Sequence, residues 1–170
     1  MDRYMNITSL IIALSLSFLG FSAFAEPIQL RCHMDSCSWA NIEIIKKLED
    51  SKNGGVLSEV SYYFGSSNHK DDLTYPDSYS DKFVIDWDKD IAKLMIYCSI
   101  RRPAVFGKNT LIQTFEFPLV YGFEMSALDI YMHTCHDTKY LGNNEIFANL
   151  GYDKIQRKQF NSVKELLSKF

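Results

Sequence analysis

The sequence predicts an α+β protein rich in strands: a mostly antiparallel sheet, sandwich-like or twisted, with one or two C-terminal helices and disulfide staples. Three observations predict this class. Apolar residues with the two-residue period of strands fill much of the chain, a clear helix signal occurs only near its end, and four cysteines follow a segment typical of exported proteins.

The first 25 of the 170 residues have the features of a secretory signal peptide. Arg3 supplies the basic start, residues 10–21 form an apolar run, and Ala23-Phe24-Ala25 has the small-x-small pattern of a cleavage site. The run is shorter than the roughly 20 apolar residues that a membrane-spanning helix needs. We therefore expect cleavage after Ala25, no stable membrane anchor, and a soluble protein in the bacterial periplasm or outside the cell.

The remaining residues, 26–170, are predicted to form a single exported globular domain, because their number is typical of one domain with its own core. The formal net charge is −3, and no long basic stripe is present. Binding to a phosphate backbone needs several clustered cations, so we expect no nucleic-acid partner.

The first predicted element is a hairpin. Residues 38–48 are predicted as a strand, with Ile42 and Ile44 on one face, although a helix fits their apolar spacing nearly as well. The Asn53-Gly54 pair that follows favours the strand, because Asn-Gly between apolar runs is typical of a hairpin turn. The return strand is then residues 56–64.

A long polar loop over residues 65–81 separates this hairpin from a second one. Strands over residues 82–87 and 91–98 are predicted to flank a turn at Asp88-Lys89-Asp90. Asp86, Asp88 and Asp90 also have the spacing of the first three ligands in a calcium-binding EF-hand loop. However, Ile91 occupies the position at which that loop needs glycine. A charged turn is therefore the preferred interpretation.

The last third of the chain changes from strand to helix signals. Residues 110–117 alternate as a strand that ends at Pro118, and residues 126–135 fit a strand or a helix. Gly151 closes a short helix over residues 144–150, and Ser162 with Glu165 forms a capping box that begins a final helix.

An even number of cysteines in an exported protein predicts disulfides. The chain has four cysteines, and their spacing leaves all three possible pairings open. They are Cys32, Cys37, Cys98 and Cys135. The alternative is a zinc or copper site, because His33 follows the first cysteine and the last is flanked by histidines. Its ligands would include His133, Cys135 and His136. These three do not share one face of a strand or of a helix, which favours disulfides.

Two segments are candidate binding surfaces. Arg101 and Arg102 offer guanidinium groups to a carboxylate or phosphate. The long polar loop carries Tyr75 and Tyr79 among Ser, Asn and Asp, a composition typical of adaptable recognition surfaces.

No catalytic motif accompanies these segments, since the chain lacks the Gly-x-Ser-x-Gly and His-Glu-x-x-His patterns. We therefore expect a binding or inhibitory module, of the immunity-protein type, that recognises a protein or cell-envelope component and is neither an enzyme nor dependent on a cofactor. A metal-binding envelope protein and an enzyme of unrecognised type are the alternatives.

Overall fold

The computed structural model describes residues 26–52, 54–70, 75–80, 82–140 and 142–168. Its centre is a curled antiparallel sheet of five strands in the order of the sequence: β1 (Ile28–His33), β2 (Ser36–Asp50), β3 (Val56–Asn68), β4 (Asp86–Cys98) and β5 (Ala104–Phe106). The predicted class, a β-rich α+β fold with short late helices and disulfides, is confirmed. The signal peptide predicted over residues 1–25 lies outside the described residues.

The first hairpin is present and is longer than predicted. The backbone N–H of Ser51 donates to the carbonyl of Gly55 at 2.7 Å, which closes the turn between β2 and β3; Asn53 itself is outside the described residues. β3 continues to Asn68, so the prediction of a loop from residue 65 onward was wrong. Gly65 belongs to the strand because it has no side chain: a Cβ there would lie 2.5 Å from the Trp87 ring.

The second predicted hairpin is wrong, because β4 is one strand from Asp86 to Cys98. Trp87 pairs with Gly65 and Ile91 with Tyr63, so three residues of β4 stand opposite the single residue Phe64. The predicted turn triplet, Asp88-Lys89-Asp90, is thus an irregularity within a continuous strand. Pairing with β3 on both sides of the triplet keeps the chain extended where its composition favours a turn.

The two faces of the sheet are covered by different parts of the chain. One face carries Ala40, Val60 and Ile96, which pack against the first helix, α1 (Met125–His136). The other face carries Leu57 and Tyr97, and a second apolar cluster covers it with residues from later in the chain: Ala104, Phe106, Ile112, Phe160 and Leu166. This division follows from the alternation of side chains along the strands.

The late strand and the two last helices are shorter than predicted. The strand predicted over residues 110–117 is reduced to β6 (Ile112–Gln113), which pairs with β7 (Gln159–Phe160), and two isolated bridges. The segment that fitted either strand or helix is α1. Two five-residue helices follow, α2 (Glu145–Asn149) and α3 (Val163–Leu167).

The predicted helix signals are present at both short helices. Gly151 follows α2 with a φ of 83°, a backbone angle that glycine adopts without strain. Ser162 begins α3, and its Oγ accepts the backbone N–H of Glu165 at 3.1 Å, as the capping box predicts. Among the residues described, no helix is long and apolar enough to cross a membrane.

The disulfides are Cys32–Cys37 and Cys98–Cys135. The first joins paired residues of β1 and β2, and the second ties the end of β4 to α1. The prediction of two disulfides is confirmed, and the structure selects one of the three possible pairings.

The two disulfides should contribute unequally to the free energy of unfolding. They close loops with sequence separations of 5 and 37 residues. Loop-closure entropy then predicts a loss of about 4 kcal/mol for the paired change Cys98→Ser and Cys135→Ser, against about 2 kcal/mol for Cys32→Ser and Cys37→Ser. Urea unfolding of the three proteins at low temperature measures both losses. Equal losses would contradict the assignment of the larger constraint to Cys98–Cys135.

Candidate functional site

The long loop between β3 and β4 folds back over the outer face of the first hairpin, where it covers Trp39. This tryptophan is fully buried, with the Phe83 ring at 5.2 Å and the Tyr79 ring edge-on at 6.4 Å. Its indole N–H donates to Ser67 Oγ at 2.8 Å. The loop is therefore part of the packed structure; residues 71–74 and 81 within it are outside the described part of the chain.

Hydrogen bonds from three other segments hold the loop in place. Gln29 of β1 donates through Nε2 to the carbonyl of Pro76. Lys139, which follows α1, donates through Nζ to Gln29 Oε1 at 2.7 Å and to the carbonyl of Asp77 at 3.3 Å. At the β1–β2 turn, the backbone N–H of Asp35 donates to the Tyr75 hydroxyl at 2.9 Å.

Between the loop, β1 and the end of α1 lies a cleft of about 440 Å³, here called the loop cleft. Its lining combines residues from all three segments: Glu26, Pro27, Ile28, Gln29, Asp77, Ser78, Tyr79, His133, Asp137 and Lys139. The three carboxylates of Glu26, Asp77 and Asp137 stand against the one ammonium group of Lys139, so these side chains give the cleft a net negative charge. It is therefore suited to a ligand that brings positive charge.

A buried carboxyl group lies close to this cleft. Asp129 is 1% exposed and precedes His133 by one turn of α1. Its Oδ1 has no hydrogen-bond partner among the described residues. Burial raises the pKa of this carboxyl to about 7, although the Lys139 charge and the backbone N–H of Tyr140 both act to lower it.

The predicted binding residues fall into two groups at opposite ends of the sheet. Tyr79 lines the loop cleft, and Tyr75 helps to anchor the loop. Arg101 and Arg102 follow the far end of β4, roughly 30 Å away along the strand. The structure therefore does not bring the tyrosines and the arginines together.

Arg102 has a structural role at its end of the sheet. Its Nη1 donates to the carbonyls of Leu166 at 2.8 Å and Ser168 at 3.1 Å, and its guanidinium lies 5.3 Å from the centre of the Phe160 ring. These contacts fix the C-terminal end of α3. Arg101 and Arg102 also line a separate cleft of about 540 Å³ with Lys154 and Lys158.

The ligands predicted for the alternative metal site do not converge. Cys135 is bonded to Cys98, so it has no thiolate to offer. His136 Nε2 shares a hydrogen bond with the Tyr152 hydroxyl, and burial lowers the pKa of this histidine. His133 lies in the loop cleft. Within the described ranges, no three His, Cys, Asp or Glu residues are grouped so that they could hold a metal ion.

Several residues of the loop cleft were not predicted from the sequence: Glu26, Gln29, Asp77, Asp137 and Lys139. The neighbouring Asp129 had a recognisable signal, because it interrupts the apolar run around Leu128 and Ile130. A carboxylate within the buried stripe of a helix needs compensation, which points to a polar environment.

The chain matches no family model, no curated protein and no solved structure, so no related protein indicates its function. The chemistry of the loop cleft is therefore inferred from its geometry alone. Clustered carboxylates, an ammonium group and a phenol around this cleft offer directional and charged contacts to a bound group.

Asp129→Asn should change how stability depends on pH. The folded-state pKa of about 7 lies above the unfolded value of 3.8, so the folded state keeps a proton that the unfolded state releases. Wild-type stability should then fall as pH rises from about 4 to 7, by up to about 4 kcal/mol, and the variant should lack this component. Urea unfolding across this pH range measures it. Asp88→Asn, at an exposed carboxyl, is the control, and parallel profiles for wild type and Asp129→Asn would contradict the assignment.

Proposed function

We propose that the protein is an exported binding module, of inhibitory or immunity type, that recognises a basic group of a protein or cell-envelope component at the loop cleft. The observation that carries this proposal is the long loop itself, which is fixed to the sheet and forms one wall of an acidic cleft. Long loops in compact domains are commonly functional, and this one is built as a stable surface.

Residues 75–80 of the loop support recognition, because contacts with the sheet already fix their position before a partner binds. The Tyr79 ring packs on buried Trp39, and Lys139 and Gln29 hold the backbone of Pro76 and Asp77. A surface that is already ordered loses less conformational entropy when a partner binds. The side chains of Asp77 and Tyr79 are thus presented from a backbone that is held on both sides.

The disulfide next to the loop supports export to an oxidising compartment, the periplasm or the cell exterior. Cys32–Cys37 closes the β1–β2 turn, and the backbone N–H of Asp35 in that turn holds the Tyr75 hydroxyl. Oxidation therefore stabilises the platform on which the loop rests. In a reducing compartment this constraint would be absent.

The charge of the cleft determines the chemistry of the proposed partner group. Glu26, Asp77 and Asp137 outweigh the ammonium of Lys139, which already donates to two neutral oxygens, and the α-ammonium that cleavage after Ala25 would add at Glu26. A lysine, an arginine or another amine of the partner would complement this charge. Association would then weaken as salt screens the attraction.

Reversal of charge at the cleft should weaken partner capture. The protein, purified from an oxidising export host, is immobilised and exposed to envelope extract, and the captured species are quantified by mass spectrometry. We expect Asp77→Lys and Asp137→Lys each to reduce the specific species at least tenfold, because each change removes one attraction and adds one repulsion. The same species should be released by added salt.

The matched control is Asp88→Lys, which makes the same charge change at an exposed carboxyl of β4 outside the cleft. It should capture as the wild type does, and thermal unfolding should show that all three variants are folded. The proposal fails if the folded cleft variants and the control capture equally, or if deletion of the loop leaves capture unchanged.

A further inference from the structure

The cleft that Arg101 and Arg102 line, at the other end of the sheet from the loop cleft, has the opposite charge. Its volume of about 540 Å³ is within the range of roughly 300–1,000 Å³ that small-ligand sites occupy. The charged side chains among its described lining residues are four cations and one carboxylate: Arg101, Arg102, Lys154, Lys158 and Asp153. Four positive charges less one negative leave a net charge of +3, so this site is called here the basic cleft.

The segment that carries the two lysines is fixed to the body of the protein. Ile155 exchanges two backbone hydrogen bonds with Phe117, both at 3.0 Å. Thr114, which is 2% exposed, donates its backbone N–H to the carbonyl of Lys158 at 3.0 Å and accepts the Lys158 N–H at its Oγ1 at 2.9 Å. The backbone that carries Lys154 and Lys158 is therefore held in place on the cleft side before a ligand binds.

The side chains of this segment are divided between two environments. Lys154 and Lys158 are exposed and line the basic cleft, and within the described ranges neither forms an ion pair. Arg157 lies between them in the sequence, but its Nη2 donates to Glu124 at 2.7 Å and its guanidinium lies 5.0 Å from the centre of the Tyr121 ring. The charge of Arg157 is thus balanced elsewhere, whereas both ammonium groups contribute to the cleft.

The opposite wall of the basic cleft is the turn after β4. Ser99 Oγ accepts the backbone N–H groups of Arg101 at 3.3 Å and Arg102 at 3.2 Å, which fixes the turn. Arg102 also donates through Nη1 to the carbonyl of Leu166 at 2.8 Å. Arg102 is therefore a positioning residue for this wall, and its charge adds to the positive potential inside the cleft.

We propose that the basic cleft binds a phosphate monoester group, held by the ammonium groups of Lys154 and Lys158 in the positive field of the two arginines. Such a group carries about two negative charges at neutral pH, so a site of net charge +3 complements it better than a carboxylate with one. The volume of the cleft admits a phosphate with a small organic substituent. This inference is independent of the loop cleft, whose negative charge would repel the same ligand.

The experiment titrates the exported protein with glycerol phosphate, a soluble phosphate monoester, and measures the Kd by NMR shifts of labelled backbone amides. We expect Lys154→Glu and Lys158→Glu each to raise the Kd at least tenfold, because each change replaces an attraction by a repulsion. Acetate, with one negative charge, should bind the wild type at least tenfold more weakly than glycerol phosphate. The matched control is Lys89→Glu, at an exposed position of β4 outside the cleft, and it should leave the Kd unchanged.

A variant that gains affinity separates the proposal from effects on folding. Asp153 is the one carboxylate among the described lining residues, and it is exposed. Asp153→Asn removes its repulsion of the ligand, so it should lower the Kd for glycerol phosphate at least threefold. Thermal unfolding of each variant shows that it is folded, and a loss of structure could not produce tighter binding.

Vesicles identify the source of the phosphate group. Phosphatidic acid in a phosphatidylcholine bilayer presents a phosphate monoester at a lipid surface, and pure phosphatidylcholine is the blank. Binding of glycerol phosphate alone would assign the cleft to a soluble ligand, and lysine-dependent binding to the phosphatidic acid vesicles would assign it to a lipid headgroup.

The proposal is overturned if neither probe binds at millimolar concentration of phosphate monoester, or if acetate binds as tightly as glycerol phosphate. It also fails if the folded lysine variants bind as the Lys89→Glu control does, or if Asp153→Asn does not tighten binding. Variants of the loop cleft such as Asp77→Lys should bind glycerol phosphate normally, so this test and the test of partner capture fail independently.

Discussion

The length of the β2–β3 hairpin is the constraint on which the rest of the structure depends. Its strands have 15 and 13 residues, longer than most strands in globular proteins. A sheet of this length presents more apolar surface than one helix can cover. The chain covers one face with α1, and it covers the other with the long loop at one end and with β6, β7 and α3 at the other end. The distal part of β2 is left exposed.

Local signals predicted the parts of the fold that depend on local chemistry. The turn at Gly54, the stop at Gly151 and the cap at Ser162 each require a particular residue at a particular backbone position, so the sequence alone revealed them. The Asp88-Lys89-Asp90 triplet misled the prediction for the opposite reason. Its composition favours a turn, but the pairing of β4 with β3 on both sides of it outweighs local preference.

The loop cleft could not be predicted because its residues are brought together only by the folded chain. Lys139 and Gln29 are 110 positions apart, and Lys139 and Asp77 are 62 apart. The tyrosines of the loop were recognisable from composition, but their partners were not. The structure also shows that part of the predicted surface is structural: Tyr79 covers Trp39, and Arg102 fixes the end of α3.

The loop cleft reaches the start of β1. Glu26 lines the cleft and stands two residues before β1 begins at Ile28. Cleavage after Ala25 would therefore change the cleft, because it would place a new α-ammonium group beside the carboxylates of Glu26, Asp77 and Asp137. The cleft would then hold three carboxylates against two ammonium groups and would keep a net negative charge. On this view, removal of the leader would be a step in forming the binding surface as well as a step in export.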